Sequence, residues 1–224
     1  MMSLDSIRFH SFRSLTVVFG GRGQNPQDTD GDGSIGDLRP GGPMNREGIF
    51  DIAQVLYDTG FDVMAFDEAD YILLAESVAE REIKNAIDNR FVDPMFNGGV
   101  AIMGYSQGGG VVQNLIEEEL DPINNFQYLP IYGVYLDALV HDGGTAETDW
   151  PDAVLYLLSI YQSLPVELGG GDIDNNEVLP GATLEEINTT TTPGWNANLN
   201  HSAIDDNLQV QMRILLRLNQ LLLR

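Results

Sequence analysis

The stretch Val100-Ala101-Ile102-Met103-Gly104-Tyr105-Ser106-Gln107-Gly108-Gly109-Gly110-Val111-Val112 decides the reading of this chain. An apolar run predicts a buried strand, and the helix-like run from Gly109 to Leu120 follows it. Between them lies G-x-S-x-G, the arrangement that presents a serine at the apex of a strand-to-helix turn. The physics of that turn is specific. The serine backbone is strained, so the residues two before and two after it must be nearly free of side chain, and Gly104 and Gly108 meet that need. The Ser106 hydroxyl is lifted above the sheet. The amide of Gln107 points into the same space as the helix N-terminus, where a developing oxyanion meets N–H groups and a positive dipole end.

The same pattern extends outward. Leu15 to Phe19 predicts a buried strand that ends in Gly20-Gly21, and residues 22–44 form a long loop rich in glycine, proline and aspartate. Asn45 caps an expected helix to about Asp58, and Gly60 stops it. Phe61 to Phe66 reads as a strand. Asp70 is expected to cap a second helix with Ile72, Ala75, Ala79, Ile83 and Ala86 on its apolar face. Ile131 to Leu136, Val154 to Tyr161 and a short run near Thr183 to Ile187 read as further strands. A final helix is expected from Ser202, with Asp205 as capping partner and Ile204, Leu208, Met212, Leu215 and Leu222 as its core face. Strands alternating with helices imply an α/β domain spanning residues 1–224. Its sheet is mainly parallel with helices on both faces, and its active groups lie at the carboxyl ends of the strands.

Composition narrows the chemistry. The net charge is −23, from 34 acidic and 11 basic residues, and Lys84 is the one lysine. A surface of this sign disfavours nucleic acid and anionic membranes as partners, because both need a basic face. It fits a solvated acidic surface, such as that of proteins at high salt, or acidic groups around a calcium site. The chain has no cysteine, which excludes disulfides, thiolate catalysis and thiolate zinc sites. No window approaches the ~18 apolar residues of a membrane span. A soluble protein is expected; its compartment is left open, with secretion and a high-salt setting as the candidates, and so is the oligomeric state.

A serine hydroxyl needs a base within hydrogen-bond reach. The three histidines are His10 before the first clear strand, His141 in a loop after a strand end, and His201 in the loop before the last helix. A carboxylate must orient that base and stabilise its charged form. Asp137 ends the strand after the elbow helix, over the same sheet edge as Ser106. Asp172 and Asp174, in a later loop, are the alternatives.

With Gly104 to Gly108 and His201 in view, the chain resembles the α/β-hydrolase family from Leu15 to the last helix. The Gly-Tyr-Ser-Gln-Gly elbow is similar to that of cutinase-like esterases, although cutinases carry disulfides and this chain has no cysteine. The resemblance implies a Ser106–Asp137–His201 triad in the family's order of serine, acid, histidine. It implies a second oxyanion donor from the loop after the first strand, the amide of Gly21 or Arg22, beside that of Gln107. The expected activity is esterase- or lipase-like cleavage of carboxylic esters through an acyl-enzyme, without a catalytic cofactor. The segment from Ala138 to Asp152 is too short for a large cap domain. An open site suits small esters or a polymer surface. A non-catalytic, calcium-stabilised binding or adhesion module on the same fold is the alternative.

Asp28-Thr29-Asp30-Gly31-Asp32-Gly33-Ser34-Ile35-Gly36-Asp37 matches the first half of an EF-hand-type loop. Asp28, Asp30 and Asp32 stand at positions one, three and five, with glycine at six and the Ser34 carbonyl at seven. Position twelve is Arg39 rather than glutamate, so Asp37 or a distant carboxylate such as Glu47 has to close the site. The expectation is a structural Ca2+ ion beside the oxyanion loop.

Overall fold

The computed structural model describes residues 14–22, 24, 48–71, 77–91, 98–120, 129–141, 143–164, 169–174 and 181–223. Among these residues, six strands form one sheet: β1 (Leu15–Phe19), β2 (Asp62–Phe66), β3 (Val100–Tyr105), β4 (Ile131–Leu136), β5 (Val154–Tyr161) and β6 (Thr183–Asn188). All neighbouring pairs are parallel, in the order β2-β1-β3-β4-β5-β6. The interior strands β1 and β3 are buried at every position, as expected of parallel strands covered on both faces.

Two apolar layers cover the sheet. On one face, Ile49, Phe50, Ile52, Ala53 and Leu56 of α1 (Ile49–Asp58) pack with Val210, Ile214, Leu218 and Leu222 of α5 (Leu208–Leu222). On the other, Ala79, Ile83 and Ile87 of α2 (Val78–Phe91) join Val111 and Val112 of α3 (Gln107–Asn114). This is the α/β architecture the sequence predicts, consistent with the α/β-hydrolase fold. The chain runs from β1 outward to β2 and then returns to β3 on the other side of β1. The carboxyl ends of β1 and β3 therefore flank the switch point, where open α/β sheets gather ligands. Among the described residues, no helix is long and apolar enough to cross a membrane.

Several local expectations shift. Helix α1 begins at Ile49 with Gly48 as its N-cap, and Asn45 lies outside the described residues. Asp70 ends a short 3-10 turn, Glu68–Asp70, capped by Asp67. Helix α2 starts instead at Val78, after a reciprocal cap in which the Ser77 amide donates to Glu80 Oε2 at 3.2 Å and the Glu80 amide to Ser77 Oγ at 3.1 Å. Asp70 does not cap this helix: its Oδ2 accepts the Asp67 amide at 3.1 Å, and Tyr71 after it is extended. The elbow helix passes into a π-turn at Leu115–Glu119.

The C-terminal helix is broken into α4 (His201–Ile204) and α5. Asn207, not Ser202, caps the longer helix by accepting from the amides of Gln209 at 3.0 Å and Val210 at 3.2 Å. Restarting the helix at Leu208 resets its phase. Val210, Ile214, Leu218 and Leu222 face the core, while Leu208 and Met212, expected inside, are 67% and 60% exposed.

Candidate active site

Ser106 caps the end of β3 at φ 54°, ψ −126°. A non-glycine residue there stores of order 1–3 kcal/mol of backbone strain, so neighbouring contacts have to hold it. The Ser106 amide donates to the Leu136 carbonyl at 3.0 Å, and its carbonyl accepts from Gly109 at 2.9 Å and Leu139 at 2.8 Å. The flanking glycines are steric requirements. A Cβ on Gly104 would lie 2.1 Å from the Gly108 carbonyl oxygen, and one on Gly108 2.4 Å from that of Gly20.

The structure brings three of the expected residues together. Ser106 Oγ is 2.8 Å from His201 Nε2, and His201 Nδ1 is 2.8 Å from Asp137 Oδ2. A carboxylate only accepts, so Nδ1 carries the proton and Nε2 keeps its lone pair for the serine hydroxyl. Asp137 lies just past β4, fully buried and at a left-handed φ of 46°. Its Oδ1 accepts the amides of Gln162 at 3.1 Å and Gly170 at 2.7 Å, and the Gln162 side-chain amide reaches Oδ2 at 3.4 Å. These donors compensate for the burial of the carboxylate. Asp172 instead accepts the Tyr161 hydroxyl, and the Asp174 amide donates to the Thr148 carbonyl at 3.0 Å. Neither makes the His201 contact. His141 packs edge-on against Tyr71, with ring centroids 5.7 Å apart.

Two residues join the site that the sequence pattern does not single out, Tyr105 and Gln162. Tyr105 stacks on the His201 ring at 5.2 Å between centroids and donates its hydroxyl to the His201 carbonyl at 2.5 Å. Burial first, then the nearby Asp205, Asp137 and Asp206 carboxylates, raise its phenol, so it stays a neutral donor. The signals that could have found the pair are a tyrosine inside the elbow motif and a glutamine at the end of the strand beside Asp137.

Gln107 opens α3 and ties its side-chain amide to the Gly143 carbonyl at 3.1 Å. On the loop after β1, the Gly21 amide donates to Gln24 Oε1 at 2.9 Å. Of the two loop amides expected to face an oxyanion, that of Gly21 is therefore taken by a side chain. Arg22 is exposed. The acidic-loop residues Asp28, Asp30, Asp32, Ser34 and Asp37 lie outside the described residues. Among the described residues, no cluster of three or more histidine or carboxylate groups could hold a metal ion.

One buried acid near the site has no part in this arrangement. Glu147 follows the bridge between Leu139 and Ala146, and its amide donates to the Ala138 carbonyl at 2.9 Å. Burial pushes its carboxyl up from 4.5 to about 7. A raised acid binds its proton more tightly when folded. The resulting stabilisation is full below pH 4.5 and is lost as pH rises through 7. Glu147→Gln keeps an acceptor for the Asp149 amide, now 3.1 Å away, and removes the charge. It should raise stability at pH 8 by of order 3 kcal/mol and leave it unchanged near pH 4. Urea denaturation at the two pH values checks this.

No family model matches the chain, and no curated protein matches it. Among solved structures, Est1E from Butyrivibrio proteoclasticus aligns over 92% of this chain and 88% of its own, with 12% identity and a TM-score of 0.42.

Proposed function

We propose that the protein is a serine hydrolase of carboxylic esters. The observation that carries this reading is the relay from Ser106 Oγ through His201 to the buried Asp137 carboxylate, both links at 2.8 Å. In the proposed cycle, Ser106 Oγ attacks the ester carbonyl carbon while His201 Nε2 takes its proton. Asp137 stabilises the imidazolium and fixes its tautomer. The negative charge on the carbonyl oxygen meets the Gln107 amide and, from the β1 loop, the Arg22 amide. His201 returns the proton to the departing alcohol. Water, deprotonated by His201, then cleaves the acyl-enzyme and frees Ser106. Hydrolysis of p-nitrophenyl acetate and butyrate, followed by p-nitrophenolate release, tests this directly. Turnover is expected; a folded protein with no rate above buffer would favour a binding module instead.

The acidic loop is proposed to hold a structural Ca2+ ion. Asp28, Asp30 and Asp32 would repel one another in one tight loop unless a cation lay among them. Ca2+ at millimolar concentration should raise the melting temperature, because a ligand of the folded state stabilises it. A chelator should reverse the shift. The double variant Asp30→Asn, Asp32→Asn should lose the Ca2+ response and keep stabilisation by molar monovalent salt, which screens the −23 charge. Calcium stabilisation of the double variant equal to the wild type would remove the loop as the site.

A further inference from the structure

The Gln24 side chain links the loop after β1 to the turn after His201, joining residues 181 positions apart in the chain. Gln24 Oε1 accepts the Gly21 amide at 2.9 Å, and Gln24 Nε2 donates to Asp205 Oδ2 at 2.7 Å. The orientation of this amide group is fixed by chemistry. A backbone N–H needs an acceptor, and a carboxylate needs a donor. The Gln24 backbone amide also donates to the Gly21 carbonyl at 2.9 Å, closing a turn.

Asp205 is anchored from the other side. It is 2% exposed and packs so tightly on Gly48 that an added Cβ there would lie 2.0 Å from its carboxylate. The next residue, Asp206, accepts the Gly48 amide at 2.9 Å, and the Gln211 side chain donates to the Asp205 carbonyl at 2.9 Å. The turn carrying Asp205 follows directly from the short helix that begins at His201. Gly21 in turn lies against the nucleophile: a Cβ on it would be 3.1 Å from Ser106 Cβ.

We propose that Gln24, braced by Asp205, is a positioning residue that locks the β1 loop to the His201 turn, so that oxyanion donor and general base hold one geometry. This rests on the ester-hydrolase reading. Burying a carboxylate beside the site costs stability, and the arrangement here returns geometric definition: the loop cannot move relative to His201 without breaking a charge-assisted hydrogen bond. Catalysis by preorganised donors is sensitive to such placement.

The pair can be tested by swapping its chemistry. Gln24→Ala should lower kcat roughly 10- to 100-fold while KM stays within about twofold, the mark of an interaction used in the transition state. Gln24→Glu should be similarly impaired, because it sets two carboxylates against each other. Gln24→Glu combined with Asp205→Asn rebuilds both hydrogen bonds: the new asparagine donates, and the new glutamate accepts from it and from the Gly21 amide. This swapped pair should recover most of the loss. A purely structural role would not produce that recovery at unchanged KM. Amide hydrogen exchange at Gly21 reads the clasp without catalysis: protection should fall in Gln24→Ala and return in the swapped pair. Wild-type kcat in Gln24→Ala, or a swapped pair no better than Gln24→Glu, overturns the proposal while leaving the esterase reading intact. A wild type inert toward esters removes the esterase reading, and the proposed role with it; the exchange experiment then reports the clasp alone.

Discussion

Ser106→Ala should fold as the wild type does and lose kcat on short p-nitrophenyl esters by roughly 10⁶-fold. The large factor follows from the chemistry: without Oγ no acyl-enzyme forms, and His201 is left with no partner to deprotonate except water. Folding should survive because alanine keeps the Cβ and the backbone contacts. The Ser106 amide and carbonyl, not its hydroxyl, make the bonds to Leu136, Gly109 and Leu139. Alanine also keeps the strain at φ 54°. Ser106→Gly should be equally inactive but relieved of about 1 kcal/mol of that strain. Parallel thermal melts and rate measurements on the two variants separate the chemical loss from the conformational one. Activity near wild type in either would place the reaction elsewhere.

Asp137→Asn is the second large effect, and its mechanism can be read from the contacts. Oδ1 faces two backbone donors, the amides of Gln162 and Gly170. The asparagine oxygen has to occupy that position, which turns its NH2 group toward His201. His201 Nδ1 must then accept, the ring proton moves to Nε2, and the base can no longer take the serine proton. The wrong tautomer costs about 10⁴ in kcat in the general triad template. Asp172→Asn should be mild by comparison, since its carboxylate serves the Tyr161 hydroxyl rather than His201. The reverse ranking in steady-state kinetics would assign the acid to the later loop.

What can be seen in the sequence is what is local. The strand, turn and helix around Ser106 are contiguous, and the turn enforces its own residue types, so Gly104 and Gly108 announce it. Asp137 is visible because parallel strands end on a common edge. The phase of the last helix is not, because the break at Asp205–Asn207 depends on where those side chains find partners. Asp205 illustrates the difficulty. Three residues after Ser202 it reads as a capping residue, yet it is buried against Gly48 and bonded to Gln24. Its partner is remote in sequence, and no periodicity or spacing encodes such a pair. Tyr105 is hidden inside the motif itself, since x stands for any residue until the fold brings the His201 ring against it.

The whole mechanism rests on Ser106 being an activated nucleophile. A fluorophosphonate probe reports this most directly, because it phosphonylates only a serine whose base and oxyanion donors are in place. Incubating the native protein with the probe and mapping the adduct by peptide mass spectrometry should give one modified serine, Ser106, with no labelling after heat denaturation. A folded protein that takes up no probe, or takes it up at a serine other than Ser106, would contradict the account.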